Sequence, residues 1–512
     1  MLLGVNDTAL PPRSRSVFVI ALALFAVHML YAARYGVFRD EMYYVACGNH
    51  LAFGYVDHPP LVAWMARLEV SLLGDSPRAL RFLPAVLAAA NVALCAELAR
   101  LFRGGAFAQV FAAVCIVAVP EYLGLFHILS MNAVLPVAWA ACATFAVRAV
   151  VFGETRAWFA FGVVAGVALE AKHSTLFFGA GVALALLATP ERRVYRTPGP
   201  WVAFAIAAVL LAPNVAWEQL HGWPTLEFMH NAQEKKMVAM SPLAFVGASI
   251  QNMNPITLPV WLGGLAWLFV ADRARPYRFL GLAFVATAVI VIAGKGKPYY
   301  LAPAFPIAYA AGAVAIESWV ARPIARGASV ALVALAGAAV APFALPILEP
   351  TTFIRYAAAL GVEDTPDEKH EASLLPQFFA DQFGWEAMAT KVAAAYRALP
   401  PEEQRVAAFY GNNYGEAGAI DFYAARLGLP RAAVSGHNSY FTWGPPPDGR
   451  GAVMITVGPS KEDVLDSYEE VEQVGETDEP YAMPYENHRP ILVARKPRHA
   501  MSDIWPTTKH FI

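Results

Sequence analysis

Long apolar runs fill the first two thirds of the chain, and polar residues gather between them. A membrane-spanning helix needs about 20 mostly apolar residues. By that rule, spans are predicted near residues 17–34, 80–100, 106–124, 128–148, 157–170, 174–190, 201–217, 255–271, 278–294, 299–320 and 326–347, about eleven in all. The stretch 241–254 contains Pro242, Asn252 and Asn254 and runs into Pro255, so it reads as a helix lying on the interface. Arg13 and Arg15 precede the first run. A signal peptide with Ala32-Ala33 at its exit has this form, and so does an uncleaved first helix. The many spans that follow favour the second reading.

From about residue 350 the pattern shortens. Arg405–Tyr410, Ala452–Val457 and Pro490–Ala494 read as strands. Tyr414–Leu427 reads as a helix stopped by Gly428, and Ser460–Ser467 as a short helix. The expected architecture is an all-α polytopic domain over residues 1–349, followed by a small α/β domain over 350–512. No phosphate-binding glycine fingerprint occurs in the latter. Its segment Ser435–Pro445 is polar and aromatic, and fits either an acceptor contact or an ordinary packed loop.

Basic residues divide the loops into two sets. One holds Arg13/Arg15, Arg100/Arg103, Arg148/Arg156, Arg192/Arg193/Arg196, Arg273/Arg275/Arg278 and Arg322/Arg326. The alternate set holds Lys172, Lys235/Lys236 and Lys295/Lys297. The richer set is expected on the cytoplasmic side. That places the N-terminus inside. The loop 35–79, Glu121–His127, Lys172-His173, the loop 218–240, Lys295–Tyr300 and the C-terminal domain are then expected outside.

Composition agrees with a membrane protein. Residues are 57% hydrophobic and only 15% charged, against about 25% charged in soluble domains. Mean hydropathy is +0.44. The net charge of −2 supplies no basic field for nucleic acid. Cys47, Cys95, Cys115 and Cys142 lack paired metal spacing and read as small buried side chains.

The densest chemistry lies just after the first span. Arg39, Asp40, Glu41, Tyr43 and Tyr44 are followed by Asp57-His58-Pro59-Pro60. Charges beside a membrane boundary are costly to place and often functional. The same stretch also fits a solvated inter-helix turn with a Pro-Pro stop. His58 beside a carboxylate admits a divalent metal, but no two-histidine helical spacing supports one. Lys172, His173, Lys235, Lys236, Lys295 and Lys297 are candidate partners for an anionic phosphate. A lysine at a helix end is also an ordinary snorkelling anchor. Tyr299 and Tyr300 belong equally to an interfacial aromatic belt. A carboxylate can take the proton of an acceptor hydroxyl, and lysines can stabilise a departing phosphate.

Arg39-Asp40-Glu41-Met42-Tyr43-Tyr44, followed by Gly54-Tyr55-Val56-Asp57-His58-Pro59-Pro60-Leu61, resembles the first external loop of the bacterial GT-C glycosyltransferases. These are relatives of the protein O-mannosyltransferases and of lipid A aminoarabinose transferase. Lys297-Pro298-Tyr299-Tyr300-Leu301-Ala302-Pro303 is similar to a Lys-x-Tyr-Tyr-Leu-x-Pro run in those proteins. In architecture the resemblance covers roughly residues 17–347. It implies a GT-C fold and a bacterial inner-membrane enzyme. Such an enzyme moves a sugar, with inversion, from a polyprenyl-phosphate monosaccharide to an envelope acceptor on the outer face, and requires no cofactor. It implies Asp40 as general base, Glu41 in support, and Lys297 with Lys295 at the donor phosphate. Lys172-His173 matches by position only. The missing lectin-like insertion departs from the eukaryotic mannosyltransferases and argues against a protein acceptor.

Two other classes fit parts of the pattern. A transporter or flippase explains the spans, but such proteins place sites near the midplane, where few charges are found here. A membrane-anchored binding protein would put the work in the C-terminal domain.

Overall fold

The computed structural model describes residues 9–235, 240–362, 371, 373–446 and 450–512. The chain divides into two compact units. One comprises Met1–Ala32, Arg81–Pro213 and Ala239–Ile347; the other comprises Ala33–Leu80, Asn214–Val238 and Leu348–Ile512. A unit boundary thus lies close to residue 349. The loop after the first apolar helix belongs with the C-terminal fold.

The first unit is helical. Each predicted span coincides with a helix, but the count of about eleven is not reached. Among the described residues, 6 helices are long and apolar enough to cross a membrane, or 7 if one bent pair forms a single span. Arg15–Tyr31, Ala106–Val117 and Thr175–Ala188 are apolar but shorter. Prolines account for some of the shortening. The run 106–124 folds as two helices, Ala106–Val117 and Pro120–Leu125, because Pro120 has no N–H to continue the first. The stretch read as interfacial forms helix Pro242–Asn252, which meets Pro255–Val270 at 96°. The bend falls at Asn254, whose φ of 62° takes it out of the helical region before Pro255.

Close packing in this unit depends on small residues. A Cβ on Gly264 would lie 2.0 Å from the Ala308 carbonyl oxygen, and one on Gly312 would lie 2.0 Å from that of Val260. Helices Leu258–Val270 and Phe305–Trp319 therefore approach backbone to backbone, as small residues permit between membrane helices.

The second unit contains a five-stranded sheet: β1 Ala407–Gly411, β2 Ala433–Val434, β3 Val453–Val457, β4 Tyr468–Glu476 and β5 Pro490–Pro497. The order is β2-β1-β3-β5-β4. β1 runs parallel to β2 and β3, while β5 runs antiparallel to β3 and β4. β3 is buried at every residue, so its sequence is apolar but for Thr456. β4 was not expected from the sequence. Its Glu-rich face is exposed, and charge on an edge strand blocks pairing with another chain.

Helix Tyr414–Leu427 follows β1. Asn413 caps it by accepting the N–H groups of Gly415 and Glu416, and Gly428 ends it at φ 66°. Helix Arg39–Asn49 lies against it. A Cβ on Gly415 would come within 2.6 Å of Arg39 Cγ, and one on Gly418 within 3.4 Å of the Tyr43 nitrogen. This contact carries the charged residues of the first loop.

Gly312→Ala is expected to lower the thermal midpoint of the purified protein, with an overpacking cost of about 1–3 kcal/mol. Gly327→Ala, whose Cβ meets nothing within 4 Å, is expected to be neutral or stabilising by up to about 1 kcal/mol. Equal midpoints for the two variants would contradict the backbone contact.

Candidate functional site

Arg39, Asp40 and Glu41 occupy the first turn of helix Arg39–Asn49. Negative side chains are favoured there, near the exposed N–H groups. The three side chains go to different places. Glu41 is fully buried, and its Oε2 accepts the Phe38 N–H at 2.8 Å. It thus turns back on its own backbone and closes the helix start, as the third residue of a capping box does.

Asp40 faces outward, with its side chain 30% exposed. Its Oδ1 accepts the Tyr414 hydroxyl at 2.8 Å and lies 3.7 Å from Arg39 Nε. Its Oδ2 makes no hydrogen bond with the described residues. The carboxylate is therefore held by one oxygen and open at the other.

Arg39 is buried. Its guanidinium donates to the Tyr485 hydroxyl at 3.0 Å, lies 3.7 Å from Asp381 and sits over the Tyr414 ring at 5.3 Å. Burial opposes its charge, but Asp381, Tyr414, Tyr485 and Asp40 more than offset this and raise its pKa. Its backbone N–H donates to the Asp381 carbonyl at 2.9 Å. Arg39 is thus a fastening between the loop and the C-terminal fold.

Tyr43 and Asp57 form a hydrogen-bonded chain with Ser439. The Val56 N–H donates to Ser439 Oγ at 3.1 Å, the Ser439 hydroxyl donates to Tyr43 at 2.8 Å, and the Tyr43 hydroxyl donates to Asp57 Oδ1 at 2.7 Å. Burial pushes the Asp57 carboxyl up, against the opposing effects of His58 and the Tyr43 hydroxyl. Tyr44 packs its ring 5.0 Å from that of His58. Burial, then Asp40 and Asp57, push its phenol well above the usual range. His58 is 1% exposed. Its Nδ1–H donates to the Pro59 carbonyl at 2.8 Å, and its Nε2 faces the Cys47 thiol at 3.7 Å. Both ring nitrogens are occupied. Among the described residues, no three His, Cys, Asp or Glu side chains group to hold a metal ion.

The lysine candidates of the first unit form their own set. Lys172, at the end of helix Arg156–Ala171, donates to Asn132 Oδ1 at 2.8 Å. Its ammonium lies 4.2 Å from the Tyr300 ring centre and 5.1 Å from that of Tyr299. Burial lowers its pKa; Tyr300 opposes this and Lys297 adds to it. Two motifs more than 100 residues apart in sequence, Lys172 and Lys297–Tyr300, therefore meet. His173 is half-buried beside Lys172. Lys295 is exposed at φ 54°. Lys235 is exposed at the end of helix Pro224–Lys235 in the second unit, and Lys236 lies outside the described residues.

Sequence reasoning missed Tyr414, Ser439, Asp381, Tyr485 and Asn132. Nothing near Tyr414 marks it out, since its partner Asp40 lies 374 residues away. The segment Ser435–Pro445, read as either an acceptor contact or a packed loop, buries Ser439 and Tyr440.

Residues 57–217 match the family model described as dolichyl-phosphate-mannose-protein mannosyltransferase. A lipid A galacturonosyltransferase, RgtD, of Rhizobium johnstonii is 27% identical over 216 residues, 41% of this chain and 44% of that protein. The match thus spans less than half the length of that relative. ArnT from Cupriavidus metallidurans in the apo state superposes with a TM-score of 0.64 at 16% identity, over 94% of this chain and 97% of that one. The same protein bound to undecaprenyl phosphate gives 0.61 at 17% identity, over 93% and 97%. With its helical first unit, its small C-terminal sheet and this likeness along nearly its whole length, the chain has the ArnT-type GT-C fold and is similar to the glycosyltransferases that its first loop resembles.

Proposed function

We propose that the protein is an integral-membrane inverting glycosyltransferase that moves a sugar from a polyprenyl-phosphate donor to an envelope acceptor on the outer face of the bacterial inner membrane. The observation that carries this reading is the state of Asp40. It stands in the first-loop motif that resembles those of such enzymes, with one oxygen held and the other open. A general base needs to be both positioned and accessible.

In the proposed reaction the acceptor hydroxyl attacks the anomeric carbon of the donor and its proton passes to Asp40 Oδ2. The bond from that carbon to the phosphate oxygen breaks, and the pair leaves with polyprenyl phosphate. The phosphate role is assigned to Lys172 and Lys297, framed by Tyr299 and Tyr300, with Lys295 and His173 flanking. An aromatic-faced, partly desolvated ammonium holds phosphate as a point charge. The solved relative that holds undecaprenyl phosphate supports a lipid-phosphate donor. Galacturonic acid and lipid A, named for the Rhizobium relative, are the first donor sugar and acceptor to try. Glu41, Arg39, Tyr43, Asp57 and His58 are given supporting roles, because each is committed to a neighbour within the loop or the C-terminal fold.

Release of polyprenyl phosphate from a panel of polyprenyl-phosphate sugars, by purified protein in micelles with membrane extract as acceptor, tests the reading. Turnover of one donor is expected. A transporter would show nothing without a sealed compartment. Asp40→Asn should cut turnover by several orders of magnitude with expression intact, and near-normal turnover would remove Asp40 from the reaction. Glu41→Gln keeps an acceptor for the Phe38 N–H and should leave the thermal midpoint near wild type. Glu41→Ala should cost about 1–3 kcal/mol of stability, because it leaves that buried N–H unpaired. Tyr414→Phe removes a hydrogen bond to a charged group, worth about 1.5–3 kcal/mol. It should lower kcat about tenfold to a hundredfold. An unchanged kcat with a lowered thermal midpoint would make Tyr414 a packing residue only.

A further inference from the structure

We propose that the arginine-rich end of the first unit contains a binding site for the phosphate headgroup of an anionic glycerophospholipid. The site is distinct from the lysine set assigned to the donor. A cavity of about 810 Å³ opens where helices Phe82–Leu101, Val134–Val150, Leu258–Val270 and Phe305–Trp319 end. Lys172 meets Tyr300 near the start of the last of these helices. Its 15 residues then span about 22 Å, so the two places lie towards opposite ends of the unit.

The cavity walls include the rings of Phe102, Trp267, Tyr277 and Trp319 together with Arg103 and Arg273. Its two carboxylates are already engaged. Asp272 pairs with Arg275 at 2.7 Å, and Glu317 accepts the N–H groups of Gly105 at 2.7 Å and Ala108 at 3.2 Å. Arg273 is exposed and makes no hydrogen bond or ion pair with the described residues. The balance left for a ligand is positive. Helix C-termini repel an anion, but carbonyls here are already bonded. That of Leu101 takes the Tyr277 hydroxyl at 2.8 Å, and that of Trp267 takes the Ala271 N–H at 3.0 Å.

Arg103 supplies an independent sign. It sits at φ 69°, a conformation that favours glycine, although Gly104 follows it directly. The strained placement sets its guanidinium over the Phe152 ring at 5.4 Å, beside Tyr277. Strain of this kind at a non-glycine residue points to function. Arginine and tryptophan at a span end are ordinary anchors, but an anchor requires neither a cavity of this size nor a left-handed arginine. A basic pocket between helices at a membrane boundary is suited to phospholipid headgroups. Arginine binds phosphate with two parallel hydrogen bonds, and the aromatic walls would meet the glycerol and first methylenes.

The test uses the full chain, purified in detergent and stripped of lipid. Phosphatidylglycerol, phosphatidylcholine and inorganic phosphate are titrated while the thermal midpoint is read. Phosphatidylglycerol should raise the midpoint of wild type and of Arg196→Ala, an exposed arginine of the turn Pro190–Arg196 that does not line the cavity. Arg273→Ala and Arg103→Gly should weaken its apparent affinity about tenfold or more. Arg103→Gly also relieves the left-handed strain, so its lipid-free midpoint should be at or above wild type, which separates lost binding from lost folding. The proposal is overturned if both variants respond like wild type, or if phosphatidylcholine matches phosphatidylglycerol. An equal response to inorganic phosphate would support the phosphate site and overturn its assignment to lipid.

Discussion

The second unit depends on how helix Arg39–Asn49 is held against helix Tyr414–Leu427. Three charged residues stand consecutively at the start of the first helix, and a buried guanidinium is tolerated only when it is paired. Arg39 meets that condition through Asp381, Tyr485 and the Tyr414 ring. Glu41 meets it through the backbone of its own helix start. Only Asp40 is left with an open oxygen. The helix contact that makes this possible needs Gly415, since a side chain there would collide with Arg39.

The C-terminal fold thereby acquires a role inside its own unit beyond that of a separate appendage. Tyr414 orients Asp40, and Ser439 links Val56 to Tyr43 and through it to Asp57. Both residues come from the segments that follow strands β1 and β2. The sheet is therefore a platform from which loops and helix starts reach the charged loop, and its β3 core, buried at every residue, supplies the rigidity.

In the first unit, small residues and prolines set the architecture. Gly264 and Gly312 allow two helix backbones to touch, and Pro120 and Asn254 break runs that hydropathy reads as continuous. The lysine–tyrosine set shows what close packing does to chemistry. An ammonium that reads as a snorkelling anchor is instead drawn against two tyrosine rings and the Asn132 amide oxygen. Its charge is partly desolvated and fixed in direction.

Each apolar run read as a span coincides with a helix, because a long apolar stretch satisfies its backbone groups most readily with bonds inside its own segment. Hydropathy overstated how many were long enough to span, because length read from it ignores where a proline or a left-handed residue ends the hydrogen-bond ladder. Alternation and turn signals found β1, β3, β5 and helix Tyr414–Leu427. Strand β4 escaped because its Val and Tyr positions are diluted by glutamates that belong on an edge. The first loop and the lysine runs were legible as candidate chemistry because acids, bases and aromatics are concentrated there against an apolar background. The sequence by itself therefore determined which residues are chemically unusual and the membrane character of the chain, since these depend on composition and local period. Only the tertiary structure decided that Glu41 is a cap while Asp40 is open, that Tyr414 and Ser439 serve the loop, and that Lys172 meets Tyr300. Each of these rests on contacts between residues far apart in the chain, and local spacing does not encode them.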